Sequence, residues 1–178
     1  TVLEAAGARV PSAMTGRSLM GVLTSKKSGL VDPSRDFVVT SFERHGWCRP
    51  NGATYPIRAI RTHGRMYLWN LEPDRWPNGD PSFPDVPYAG RGTEFMDIDP
   101  SPTKTYLIEH SKNPDVAGSF EVCLGKRPGE ELYDMKADPQ QMRNLAAESA
   151  HAATKRELRE RLEKYLRETD DPRIRGKN

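Results

Sequence analysis

Two neighbouring runs of alternating residues constrain the fold of this chain more than any other feature of its sequence. Residues 55–62 alternate apolar and basic side chains, and residues 65–71 do so more loosely. Successive side chains of a strand point to opposite faces of a sheet, so this alternation predicts strands with one buried face. Only His63 and Gly64 separate the runs, which is the length of a tight turn. The sequence therefore predicts a β-hairpin.

Further strands and helices are indicated on both sides of the hairpin. Phe37–Phe42 is rich in β-branched and aromatic residues and predicts a buried strand, and short strands are predicted at 120–124 and 131–134. Asp138 followed by Pro139 is typical of a helix start. The clearest element is a helix after residue 154, whose apolar stripe is made by Leu158, Leu162, Tyr165 and Leu166.

Composition argues against two classes of function. The 27 basic and 25 acidic residues leave a formal net charge of +2 without a basic cluster, which argues against nucleic-acid binding. No run approaches the ~18 consecutive apolar residues of a membrane span. The two cysteines, Cys48 and Cys123, could form one bridge or stay reduced. No spacing of cysteines, histidines or carboxylates predicts a metal site in this chain.

Three passages resemble the sulfatases. The most specific is the block 131–146, which is similar to the family's closing motif E-L-Y-D-L-x-x-D-P-x-E-x-x-N-L-A, with Met135 and Gln141 as mild departures. The opening residues 1–19 are similar to a helix end and G-x-S-L loop of that family. The passages 43–45, 55–62 and 70–77 resemble its heparan N-sulfatase (sulfamidase) branch.

The resemblance implies the C-terminal portion of an alkaline-phosphatase-like α/β fold. Phe37–Phe42 would be the last strand of the large sheet, with its neighbours upstream, and residues 1–50 would belong to that large domain. Residues 51–178 would form a small antiparallel sheet packed with a C-terminal helix. An apolar strand without its neighbours invites pairing, so we expect residues 1–50 to be disordered alone or to pair with the N-terminal part of the protein or a second copy.

The resemblance also implies a chemistry that this chain does not carry by itself. Sulfatases use a formylglycine made within a C/S-x-P-x-R motif and a calcium ion, whose charge offsets that of the departing sulfate. Cys48 begins a C-x-P sequence that ends in Gly52 instead of Arg, so it does not match. We expect nucleophile and calcium ligands to lie upstream, no catalytic residue here, and a periplasmic or secreted location.

Five residues are candidates for contact with an anionic sugar. Glu43, Arg44 and His45 follow a predicted strand at its carboxyl end, where ligands of open α/β sheets bind, and the resemblance places this loop beside the substrate pocket. The alternative is a solvated turn. Asp74 and Arg75 lie beside Trp76 in the proline-rich stretch 72–104, which is predicted to be a long loop that is functional or disordered.

Two further arginines have a simpler interpretation. Arg58 and Arg61 lie on opposite faces of their strand because their separation is odd, so each is expected to form a surface salt bridge.

The sequence as a whole predicts part of a sulfatase that hydrolyses sulfate esters or N-sulfo groups of sugars such as glycosaminoglycans. The alternative is a non-catalytic module that binds carbohydrate or protein.

Overall fold

A computed structural model describes residues 1–83 and 94–175. The chain divides into two compact units, Thr1–Asp36 and Phe37–Asn178. The first unit contains two short helices, α1 (Val2–Ala5) and α2 (Met20–Leu23). Gly7 follows α1 with a φ of 67°, as expected of a glycine that ends a helix.

A four-stranded antiparallel sheet organises the second unit. Its strands are β1 (Phe37–Phe42), β2 (Ile57–Thr62), β3 (Arg65–Asn70) and β4 (Glu130–Asp134), in the spatial order β1-β2-β3-β4. The predicted hairpin is confirmed: β2 and β3 pair with Arg61 opposite Met66, on either side of His63 and Gly64.

Three helices and two single 3-10 turns complete the described part of the second unit. Helix α3 spans Pro102–Glu109, α4 spans Pro114–Leu124 and α5 spans Ala152–Glu168, with 3-10 turns at Pro50–Gly52 and Ser149–His151. Helix α5 lies on one face of the sheet and begins two residues before the predicted Thr154.

The hydrophobic core lies between the sheet and α5. Leu158, Leu162 and Leu166 recur every fourth residue and pack on Ile60 and Tyr67 of the central strands. Each buried leucine of this kind stabilises the folded state by about 1.5–3 kcal/mol. The fourth member of the predicted stripe, Tyr165, lies at the edge of the core, where its ring meets that of Phe37 at 5.9 Å. The C-terminal helix is therefore held by its apolar stripe, as predicted.

The placement of Phe37–Phe42 in a separate large sheet was wrong. This strand is β1 of the small sheet and pairs antiparallel with β2, with Phe37 opposite Thr62. Phe37 and Val39 are half-buried, whereas Val38 is 56% exposed. The strand therefore has one covered face, and the local richness in β-branched residues could not distinguish that case from a strand covered on both faces.

The strand predicted at 120–124 was also wrong, because these residues form the end of α4. The side chain of Asn113 accepts a hydrogen bond from the N–H of Asp115 at 3.0 Å, and Pro114 occupies the first turn. This capped start precedes residues 120–124, the predicted strand, and the helix continues through them to Leu124.

The helix predicted after Asp138 does not form. Asp138 accepts a hydrogen bond from the N–H of Arg143 at 2.8 Å, and Gln141 has a φ of 58°, which an α-helix does not allow. Asn144 then accepts from the N–H groups of Leu132 and Ala146 at 3.0 and 2.9 Å. The polar residues of the closing motif thus bind the chain after β4 back onto that strand, and their role here is structural.

Candidate functional site

A cavity of about 340 Å³ is formed by the segment after the hairpin, the segment before β2 and Lys126, the second residue after α4. We call it the cationic cavity, and its charged and aromatic lining comprises Arg49, Asp74, Arg75, Trp76, Asp80 and Lys126. Two of the sequence-predicted residues, Asp74 and Arg75, therefore lie in one cavity with the neighbouring Trp76.

Arg49 forms the buried wall of the cationic cavity. It is 2% exposed, and its guanidinium donates to the carbonyl oxygens of Trp76 and Pro77 at 2.9 and 2.6 Å. It also pairs with the Asp97 carboxylate at 2.9 Å. Arg49 thereby holds the backbone that carries Trp76, while its own charge is compensated by Asp97.

Asp97 also fixes the loop that precedes Arg49. Its Oδ1 accepts hydrogen bonds from the backbone N–H groups of His45 and Gly46 at 3.2 and 2.7 Å. Burial by itself would raise the pKa of Asp97, but the N–H of Gly46, the Cys48 thiol and Arg49 outweigh burial and lower the pKa. Asp97 is therefore an anion that ties residues 45–49 to the wall of the cavity.

Trp76 and Lys126 form the part of the cavity best suited to a ligand. The Trp76 ring packs edge-on against Phe95, with ring centroids 5.4 Å apart, and Phe95 packs in turn on Phe120 of α4. The Lys126 ammonium lies 5.4 Å from the centroid of the Trp76 ring. Within residues 1–83 and 94–175, Lys126 makes no ion pair. A positive charge beside a supported indole is thus left available for an anionic partner.

Arg75 and Asp74 lie on the rim. Arg75 donates to the carbonyl oxygen of Thr54 at 2.9 Å and is 3.3 Å from the Glu72 carboxylate. Asp74 is exposed. Arg75 is therefore directed by the backbone before β2, and it retains further N–H donors because a guanidinium carries five.

The remaining predicted residues lie on the loop after β1. Arg44 donates to the carbonyl oxygen of Gly52 at 2.7 Å, and its guanidinium lies 4.7 Å from the ring centroid of Trp47, which is 59% exposed. The His45 side chain is exposed, and the residue is held through its backbone N–H, which donates to Asp97 Oδ1. Neither residue lines the cationic cavity. The structure therefore separates the predicted residues into a loop group and a cavity group.

Glu43 faces a buried ionic network. Its carboxylate is 2.8 Å from Arg58 and 2.6 Å from Arg173, and Arg58 also makes a two-pronged pair with Asp171 at 2.8 and 3.2 Å. Burial would raise the pKa of Glu43, but Arg173 and Arg58 lower it on balance. Glu43 therefore links β1 and β2 to the segment after α5.

Arg58 forms the expected ion pair, but the expectation that this pair lies on the surface was wrong, because Arg58 is 2% exposed. Its main partner, Asp171, is 113 residues away in the chain, so local pattern could not reveal its burial. The same holds for the cavity residues that sequence reasoning missed. Arg49 lies in the C-x-P sequence that does not match the sulfatase motif, and no pattern of neighbouring residues marks Lys126.

Other chemistry can be assessed in the described part of the chain. It contains no group of three or more histidine, cysteine or acidic side chains that could hold a metal ion. None of its helices is long and apolar enough to cross a membrane. Both cysteines are free, and burial, together with a hydrogen bond to Asp97, raises the pKa of Cys48 to about 11. Cys48 is thus a poor nucleophile.

Comparison with known proteins gives a result at the level of fold. No model of a protein family matches the sequence, and no curated protein matches it either. Among solved structures, a 2-O GAG sulfatase superposes with a TM-score of 0.53 at 23% identity, over 97% of this chain. A putative sulfatase from Bacteroides thetaiotaomicron VPI-5482 superposes with a TM-score of 0.54 at 23% identity, again over 97% of this chain.

The shared region is a small part of those proteins. This chain spans 24% of the length of each of the two. The small antiparallel sheet with its packed C-terminal helix agrees with the portion of the fold that the closing motif suggested. The chain therefore has the fold of the C-terminal portion of a sulfatase.

Proposed function

We propose that this chain is the C-terminal portion of a sulfatase that hydrolyses sulfate esters or N-sulfo groups of sugars, and that the cationic cavity contacts the substrate. The observation that carries the proposal is the cavity itself, in which the Lys126 ammonium, which makes no ion pair with the described residues, lies beside the supported ring of Trp76. An indole packs on the apolar face of a sugar ring, and an ammonium pairs with sulfate. The superposition on a 2-O GAG sulfatase supports a sulfated saccharide as the ligand.

The loop after β1 would supply further contacts. Arg44 and His45 are exposed and keep donors for an anionic sugar, as the resemblance to the sulfamidase branch implies. Glu43 would act indirectly by holding the start of this loop, because its carboxylate is already engaged by two arginines.

The hydrolytic step itself would belong to other residues of the whole protein. The described residues of this chain contain no group of three or more histidine, cysteine or acidic side chains that could hold a metal ion. We propose that the N-terminal part of the same protein supplies the calcium ligands and the formylglycine nucleophile, and that the whole protein is periplasmic or secreted. By itself this chain would bind sugar without turning over sulfate esters such as p-nitrophenyl sulfate.

Titration with N-sulfoglucosamine, followed by tryptophan fluorescence, tests the proposal. We expect saturable binding that weakens about tenfold in Lys126→Ala, the change expected for one lost charge-assisted contact. Lys112→Ala is the matched control, because it removes the same charge from an exposed lysine outside the cavity. Equal weakening in both variants, or no binding at all, would refute the assignment of the cavity. Turnover by this chain alone would refute the division of roles.

A further inference from the structure

A second cavity of about 420 Å³ lies on the face of the sheet opposite α5. The side chains that pack on α5, such as Ile60, Tyr67 and Leu132, alternate with those that line this cavity. We call it the sheet-face cavity, and its lining includes Met66, Leu68, Asn70, Val122, Arg127 and Glu131. It belongs to none of the contacts assigned so far.

Asn70 lines this cavity, and its buried amide oxygen has an unmet hydrogen bond among the described residues. It is 2% exposed, and its Nδ2 donates to the carbonyl oxygen of Pro128 and to Glu131 Oε1, each at 2.7 Å. Both partners are acceptors, so the amide cannot be turned around without setting oxygen against oxygen. Its Oδ1 has no hydrogen-bond partner among the described residues. A buried acceptor of this kind requires a donor from water or from a ligand.

The neighbouring carboxylate has the same need. Glu131 is 6% exposed and accepts from Asn70 and from the Tyr133 hydroxyl, the latter at 2.5 Å. Within the part of the chain that the structure describes, it makes no ion pair. A carboxylate accepts about four hydrogen bonds, so capacity for a donor remains. Glu131 and Arg127 line the same cavity with charges of opposite sign, so neither an anion nor a cation is favoured there over an uncharged group.

Arg127 adds donors to the same cavity. Its Nη2 donates to the carbonyl oxygen of Val122 at 2.5 Å, and within the described residues the other N–H groups of the guanidinium remain able to donate to a ligand. Met66 and Leu68 contribute apolar surface beside these polar groups. The cavity therefore offers acceptors, donors and apolar contact within one volume, a combination that suits a ring bearing hydroxyl groups.

The sheet-face cavity and the cationic cavity flank the same two segments. Trp76 and Lys126 line the cationic cavity, and the residues that follow them, Pro77 and Arg127, line the sheet-face cavity. Resting on the function proposed above, we propose that the sheet-face cavity binds an uncharged sugar ring of the same saccharide whose sulfated unit occupies the cationic cavity. The substrate class is then an oligosaccharide that combines sulfated and unsulfated units.

Two matched monosaccharides test this proposal by NMR of the ¹⁵N-labelled chain. N-acetylglucosamine, which is uncharged, should shift the side-chain amide signal of Asn70 saturably. Arg127→Met should weaken that binding by about tenfold, as expected for a lost hydrogen bond from a charged donor. Val122→Trp, at a site 45% exposed, should abolish it by filling the cavity, and Lys112→Ala, at an exposed site outside both cavities, should leave it unchanged. N-sulfoglucosamine should instead shift the indole signal of Trp76.

The outcomes separate the two proposals. If N-acetylglucosamine leaves the Asn70 signal unmoved, or shifts it equally in Val122→Trp, the sheet-face cavity holds water only and the inference is wrong. If N-sulfoglucosamine perturbs Asn70 as strongly as the uncharged sugar does, the selection for an uncharged ring is wrong. Failure of N-sulfoglucosamine to perturb Trp76 refutes the proposed function, whatever happens at Asn70. Well-dispersed spectra verify that both variants are folded. If Val122→Trp does not fold, the weakening of N-acetylglucosamine binding in Arg127→Met tests the sheet-face cavity.

Discussion

Replacing Asp171 by Asn tests whether the buried ionic network holds the C-terminal segment to the sheet. Arg58 is almost fully buried, and Asp171 receives two of its hydrogen bonds, at 2.8 and 3.2 Å. The substitution keeps the shape of the side chain but removes the charge. Arg58 would then retain Glu43, whose side chain is 37% exposed and so compensates a buried charge less effectively.

The expected loss is large for a single substitution. Removing one partner of a buried ion pair costs about 3–5 kcal/mol. Because Glu43 remains, we expect about 3 kcal/mol for Asp171→Asn, at the lower end of that range. For a domain of this size 1 kcal/mol corresponds to about 2–4 °C in Tm, so the melting temperature should fall by about 6–12 °C.

Urea denaturation followed by circular dichroism measures this change. Asp170→Asn is the matched control: its ion pair with Arg175 is exposed, and its effect should stay within about 0.5 kcal/mol. The double variant Arg58→Leu/Asp171→Asn should recover part of the loss, because the unpaired buried charge is gone. Equal effects of the two aspartate substitutions, or no recovery in the double variant, would refute the view that burial of Arg58 makes this pair important.

Two further predictions concern the same unit. Two arginines lower the pKa of Glu43 from 4.5, so its stabilising contribution is present above pH 4.5 and is lost as the pH falls through the lowered value. In Glu43→Gln the urea midpoint should therefore fall less steeply at acid pH. An unchanged slope would contradict a stabilising role for the ionised Glu43. Gly79→Ala should destabilise the fold by about 1 kcal/mol or more, because φ is 99° and the new Cβ would lie 2.8 Å from a backbone nitrogen. Gly118→Ala should instead stabilise it by about 0.5–1 kcal/mol, because Gly118 lies inside α4 with open space around it. Thermal melts of the two glycine variants check this, and a loss of equal size in both would show that the backbone at Gly79 is not strained by a side chain.

Much of the local structure followed from the sequence alone. The hairpin was predicted because alternation of side chains and a two-residue turn are properties of neighbouring residues. The C-terminal helix was predicted because Leu158, Leu162 and Leu166 repeat at the spacing of one helix face. The closing motif at 131–146 indicated the sulfatase type of fold, which the superpositions on solved sulfatases support at the level of fold.

Tertiary structure decided what neighbours in sequence could not. Phe37–Phe42 was recognised as a strand, but its pairing with β2 depends on residues 15 to 25 positions away, from Phe42 opposite Ile57 to Phe37 opposite Thr62. The window 120–124 looks extended by itself, yet the capped start at Asn113 makes it helical. Arg58 became a buried charge only because Asp171 reaches it after α5, and Lys126 joined Trp76 only because α4 returns to the loop after the hairpin. Periodicity records which face of an element is apolar, whereas burial of a charge and assembly of a cavity depend on elements that only the folded chain brings together.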